Sequence, residues 1–193
     1  IMTDINNEIN KYAVKNQADP VSTGIRYAIE RLSERISRSK YQNSLILKGG
    51  YLLGQLLNDP HRTTKDLDTA LQQPVDKAAV AKMLQEIIHV PLDDDMSFVI
   101  DELVEDRKSE QRFNPGYIIS FIARSKNPDP TRKPREYRFS MDLTVNESIV
   151  PDIQDQQIED MFDHHIFTVK AYPIEQIVAE KIEAIFHHGL RNT

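Results

Sequence analysis

Two acidic side chains and two glycines in the first half of this sequence have the types and spacing needed for phosphate chemistry. Asp66 and Asp68 flank one apolar residue at the start of Asp66-Leu67-Asp68-Thr69-Ala70-Leu71, a run that reads as a strand. Strand side chains alternate, so both carboxylates share a face while Leu67, Thr69 and Leu71 take the other. Adjacent carboxylates repel unless a cation lies between them. Oxygen ligands select a hard cation, and Mg²⁺ is the expected one. Upstream, Leu45-Ile46-Leu47-Lys48 reads as a short strand that ends in Gly49-Gly50, before an apolar helix from Tyr51 to Leu57. Glycines at that junction let the backbone approach a ligand and aim the helix's free N–H groups and positive dipole end at an anion. A Gly-Gly pair alone is more often only a turn. A phosphate cradle joined by one helix to a carboxylate pair is a more specific pattern, and metal-assisted nucleotide chemistry needs that arrangement.

A third carboxylate is a candidate further on. In Arg135–Val145, Tyr137, Phe139, Met141, Leu143 and Val145 alternate with Arg138, Ser140, Asp142 and Thr144. The ordinary explanation of such a strand is a polar face turned to water. The alternative sets Asp142 beside Asp66 and Asp68. The closing helix, from Pro173 to Gly189, carries Lys181 within the apolar stripe Ile174, Ile177, Val178, Ile182 and Ile185. A lysine there either snorkels to the edge or reaches into a polar cleft to hold phosphate charge.

The segments LKGGYLLGQLL (Leu47–Leu57) and HRTTKDLD (His61–Asp68) resemble the LKGG, apolar helix, R-x-T/S-x-D-L-D signature of the AbiEii/AbiGii-type nucleotidyltransferase toxins, members of the polymerase-beta-like nucleotidyltransferase superfamily. The resemblance runs from Leu45 to the C-terminus. It implies an α/β (α+β) fold, a mixed twisted sheet flanked by helices, and metal-dependent transfer of a nucleoside monophosphate from an NTP to an acceptor hydroxyl. A tRNA end is one candidate acceptor, and a cognate antitoxin is the implied partner. On this reading Asp66, Asp68 and Asp142 hold Mg²⁺, Asp142 also acts on the incoming hydroxyl, and Gly49 and Gly50 cradle phosphate. Lys48, Arg62 and Thr64 are further nucleotide-binding candidates. Val178-Ala179-Glu180-Lys181-Ile182-Glu183-Ala184 is similar to the family's A-E-K-apolar-x-A helix, whose lysine belongs to the active site. One departure stands out: Tyr51 follows the glycines where most relatives have threonine. A protein-modifying or kinase-like enzyme of the superfamily, and an inactive nucleotide-binding module, are the other classes the sequence leaves open.

The elements that must position these groups follow from periodicity. Helices are expected over residues 4–16, 21–39 and 74–90, and strands over 97–104, 117–124, 135–145 and 167–169. In the second helix Ile25, Ala28, Ile29, Leu32 and Ile36 form the inner face, with Arg31, Glu34, Arg35 and Arg38 largely outside it. Asp93-Asp94-Asp95 reads as a solvated turn. Residues 146–165 read as an acidic connection of weak periodicity. Neither His164-His165 nor His187-His188 has the spacing of a two-ligand metal site. The basic stretch from Arg124 to Arg138 reads as a solvated hairpin loop, with an RNA-contacting arm as the sharper alternative.

A net charge of −6 argues against a broadly basic nucleic-acid coat. With no cysteine the chain has neither a disulfide framework nor a thiolate zinc site. No apolar run is long enough for a membrane span, so a cytoplasmic protein is expected. The division expected is a nucleotidyltransferase-like domain over 1–165, and over 166–193 the start of a C-terminal helical part that is only partly represented.

Overall fold

The computed structural model of the chain describes residues 4–57, 64–106, 116–127, 129, 131, 133–145 and 152–189, but not the side chains of residues 56, 184, 185 and 187–189. Helices α1 (Ile5–Lys15) and α2 (Pro20–Arg38) open it. Each is capped by an aspartate: Asp4 accepts from the Asn6 N–H and Asp19 from the Ser22 N–H, and Pro20 occupies the first turn, where its missing N–H costs nothing. Next come β1 (Leu45–Lys48), α3 (Gly49–Leu57), β2 (Asp66–Leu71), α4 (Lys77–Ile88), β3 (Met96–Glu105), β4 (Gly116–Ser125), β5 (Arg135–Val145), β6 (Gln154–Glu159), β7 (Ile166–Ala171) and α5 (Ile174–Gly189).

The strands form one seven-stranded sheet in the order β3-β4-β5-β2-β1-β7-β6. The β2–β5 and β1–β7 pairs are parallel and the remaining neighbours antiparallel, so the sheet is mixed, as expected. β6 falls in the stretch read as a connection. Its sequence, Gln-Asp-Gln-Gln-Ile-Glu, offers one buried side chain (Ile158), and as an edge strand it needs only one partner. The division expected after residue 165 falls inside the β6–β7 hairpin.

Tyr137, Phe139, Met141, Leu143 and Val145 of β5 are all buried. α2 crosses this face so closely that a Cβ on Gly24 would lie 2.0 Å from the Tyr137 ring. Burial of α2 is far wider than its apolar stripe predicts, because Arg31, Glu34 and Arg35 are buried too. These polar groups neutralise one another. Arg31 Nη2 pairs with Glu30 at 2.9 Å and with Asp160 at 2.5 Å, and Nη1 pairs with Glu34. Arg35 grips Asp94 in a bidentate contact of 2.5 and 2.9 Å, so the middle of the acidic triplet is a buried ion-pair partner and not a solvated turn. Burial pushes the Glu30 carboxyl up to about 7, against the pull of Arg31.

α3 packs on β1 and β2 and carries α5 against it. Among the described side chains of α5 the buried apolar residue is Ile177, while Ile174, Val178 and Ile182 are exposed. Lys181 lies one turn after Ile177 and is exposed. No helix among the described residues is long and apolar enough to cross a membrane.

Candidate active site

The register of three central strands assembles the site. Lys48 on β1 lies opposite Asp68 on β2, and Asp68 lies opposite Asp142 on β5. Directly paired residues point to one face, so Lys48, Asp68 and Asp142 form a row across adjacent strands about 5 Å apart. Asp66 sits two residues before Asp68 on the same face, opposite Ser140. This face is the reverse of the one that buries Met141 and Leu143 beneath α2. Asp66 and Asp142 are exposed and Asp68 is half-buried.

Gly49 joins β1 to α3 with φ +76°, in the left-handed region where a side chain is strained. The space is closed as well, since a Cβ there would stand 1.7 Å from Asp68 Oδ2. The Gly50 N–H, at the start of α3, donates to that same oxygen at 3.4 Å. Thus the two glycines hold the second aspartate of the Asp-x-Asp pair against the open N-terminus of a helix. Tyr51 is 2% exposed and belongs to the core, so its hydroxyl does not stand in for the relatives' threonine.

The electrostatics of Asp68 differ from those of an ordinary surface carboxylate. Burial raises its pKa; the Gly50 N–H, Lys48 and Lys181 pull it down, and Asp66 raises it further, with a net upward shift. The Lys48 ammonium lies 5.5 Å from the centre of the Tyr172 ring and 3.4 Å from Thr144 Oγ1. Lys181, reaching in from α5, contributes to the field at Asp68 although it is exposed. Ser140 Oγ donates to Asp66 Oδ1. Thr64 Oγ1 donates to the Asp66 carbonyl at 3.1 Å, so its hydroxyl supports the strand entry and not the glycine cradle. Arg62 lies outside the described residues.

Three carboxylates on one face, one of them the half-buried Asp68, form an all-oxygen set that fits a hard divalent cation. The tighter cluster among the described residues lies elsewhere: Glu34, Asp160 and His165 bring ligand atoms within 4.8 Å of one another. It borders a cleft of about 870 Å³ lined in part by Tyr27, Arg38, Phe162 and Asp163. Its charge is already balanced, because Arg31 lies between Glu34 and Asp160, Arg38 also pairs with Glu34, and His165 Nε2 meets Glu34 at 2.9 Å. Burial pulls the His165 pKa down, but the bonds to Asp163 and Glu34 outweigh it and leave it raised. Sequence spacing missed His165 because its partners come from α2 and the β6–β7 turn. Among the described residues of the basic stretch, Arg124 pairs with Glu136, Lys126 with Asp95, and Arg138 with Asp101 and Glu136.

Among curated proteins no relative matches the sequence. The chain resembles a solved structure described as that of a putative nucleotidyltransferase from H. pylori, with 13% identity and a TM-score of 0.47 over 83% of this chain, and it spans 57% of that chain's length. The family model "Nucleotidyl transferase AbiEii toxin, Type IV TA system" matches residues 31–193, a span that takes in the glycine junction, all three aspartates and Lys181. The chain belongs to the AbiEii nucleotidyl transferase toxin family of type IV toxin–antitoxin systems.

Proposed function

We propose that this chain carries the catalytic face of an Mg²⁺-dependent nucleotidyltransferase, which moves a nucleoside monophosphate from an NTP to an acceptor hydroxyl in the cytoplasm. The observation that carries the reading is the register that aligns Lys48, Asp68 and Asp142, with the Gly49-Gly50 junction against Asp68. Asp66, Asp68 and Asp142 would hold the metal, which supplies charge neutralisation of the triphosphate and of the transition state.

The chain's own residues account for the remaining roles. The Gly50 N–H and the N-terminus of α3 receive a phosphate oxygen, the place that Asp68 Oδ2 holds in the free protein. Lys48 and Lys181 supply positive charge from two sides of Asp68. The Asp142 carboxylate takes the proton of the acceptor hydroxyl. The acceptor oxygen then bonds to the α-phosphorus, the α–β phosphoanhydride bond breaks, and pyrophosphate departs with its charge facing the lysines. The toxin family implies a cognate antitoxin, and a tRNA end is the acceptor proposed.

The test supplies Mg²⁺, total tRNA and each NTP labelled at the α-phosphate to the protein and to its Asp66→Ala/Asp68→Ala variant. Label entering RNA only with the intact aspartates supports the reading and names the nucleotide. Label entering protein instead would replace the acceptor class. Incorporation from a γ-labelled NTP would make the enzyme a kinase. No transfer of either label by folded protein would make it a nucleotide-binding module.

A further inference from the structure

We infer that Ser140 is a positioning residue for the metal site: it fixes the Asp66 carboxylate and thereby sets metal affinity. The inference rests on the nucleotidyltransferase reading of the aspartate face. Ser140 lies opposite Asp66 across the parallel β2–β5 pair, and its Oγ donates to Asp66 Oδ1. The serine is itself fixed, because its N–H donates to the Lys65 carbonyl at 2.8 Å, immediately before Asp66. Both side chains are therefore anchored to one stretch of sheet.

Asp66 needs such an anchor more than Asp68 does. Asp68 is half-buried and held by the Gly50 N–H, whereas Asp66 is exposed and repels Asp68. Left alone, an exposed aspartate swings toward water and away from a like charge, and the cost of recovering it falls on metal binding. A hydroxyl donated to Oδ1 restricts that swing and leaves Oδ2 to serve as the ligand. Hydrogen bonds to ligating carboxylates tune metal affinity in this way, typically by about 10- to 100-fold.

The experiment measures Mn²⁺ binding to the protein by electron paramagnetic resonance, without nucleotide, for wild type, Ser140→Ala, Ser140→Val, Ser140→Thr and Asp66→Ala/Asp68→Ala, each checked for folding by circular dichroism. Ser140→Ala and Ser140→Val are expected to weaken binding about 10-fold, and Ser140→Thr, which keeps the hydroxyl and matches valine in shape, to restore it. In turnover, the loss should appear as a raised half-saturating Mg²⁺ concentration, with kcat recovered at saturating metal. Wild-type affinity in Ser140→Val overturns the inference and leaves the metal site standing. Equal binding by wild type and the double aspartate variant overturns both.

Discussion

Replacing Gly49 by alanine tests whether the glycine junction is shaped by Asp68. An L-residue at φ +76° costs about 1–2 kcal/mol. The new methyl would also stand 1.7 Å from Asp68 Oδ2, 2.5 Å from its Cγ and 2.7 Å from its Cβ, so the carboxylate must leave its rotamer at a cost of about 0.5–1.5 kcal/mol. Alanine lowers the entropy of the unfolded chain, which returns about 0.4–1 kcal/mol. The net loss is centred near about 2 kcal/mol, or about 4–8 °C in Tm for a domain of this size. Function should fall further than stability, because the displaced group is the aspartate in the middle of the row.

A double-mutant cycle with Asp68→Ala separates the two causes. Removing the carboxylate abolishes two of the three clashes and leaves the backbone strain, so the cycle should show a coupling of about 0.5–1.5 kcal/mol. Thermal unfolding at pH 7, with Mn²⁺ binding in parallel, provides the readouts. Gly49→Ala unfolding within about 0.5 kcal/mol of wild type, or strictly additive effects, would refute the claim that the glycine exists to let Asp68 approach.

Three further outcomes follow from the charges. In the metal-free protein Asp68 should titrate above an ordinary aspartate, because burial raises it, and Lys181→Met should move it higher by removing a charge that pulls the pKa down; an Asp68 titration, followed by carboxyl NMR, that is unmoved in the variant counts against Lys181 facing the site. The folded state holds the Asp68 proton more tightly than the unfolded state does, so stability falls as pH rises through that window; Asp68→Asn should raise Tm at neutral pH and leave it unchanged below the carboxylate range, as calorimetry at two pH values would show. On the opposite face, Arg31→Met removes the guanidinium partner of Glu30 and Asp160, while Glu34 keeps Arg38 and His165, and should cost about 3–5 kcal/mol, or about 6–20 °C, with the loss shrinking as pH falls and the carboxylates protonate; a loss under about 1 kcal/mol would show the network to be dispensable.

Local pattern carried the sequence reading furthest where burial is one-sided. β5 alternates strictly, and its apolar face is buried in full as the alternation requires. The Gly49-Gly50 junction is a local device too, and it sits between strand and helix as the sequence implies. The pattern failed where partners are distant in the chain. Arg31 and Arg35 sit off the apolar stripe of α2, and their burial is set by Asp160 and Asp94, which no helical period connects to them. The pairing of Lys48, Asp68 and Asp142 was legible only as a shared chemistry. Their alignment depends on strand register, which involves residues up to 94 positions apart and no motif. Ser140 escaped notice for the same reason: its meaning lies wholly in being opposite Asp66.

Burial raises a carboxylate pKa on each face of the sheet, Glu30 on α2 and Asp68 in the aspartate row, but the surroundings of the two differ. On the α2 face, buried carboxylates meet guanidinium groups at 2.5–2.9 Å, and the ions are balanced within the protein. On the aspartate face, burial leaves the Asp68 pKa raised despite the pull of Lys48 and Lys181, and Gly49 is held in a conformation that side chains avoid. A sequence selected for stability alone would remove these features, since asparagine at position 68 costs the fold nothing by this reasoning. A left-handed backbone at Gly49, beside a half-buried carboxylate and an open helix N-terminus, is a feature found at ligand sites. The left-handed Gly49 junction is what separates the two clusters and supports the proposal that the aspartate row is the catalytic one, whereas Glu34, Asp160 and His165, though geometrically tighter, are paired with Arg31 and Arg38.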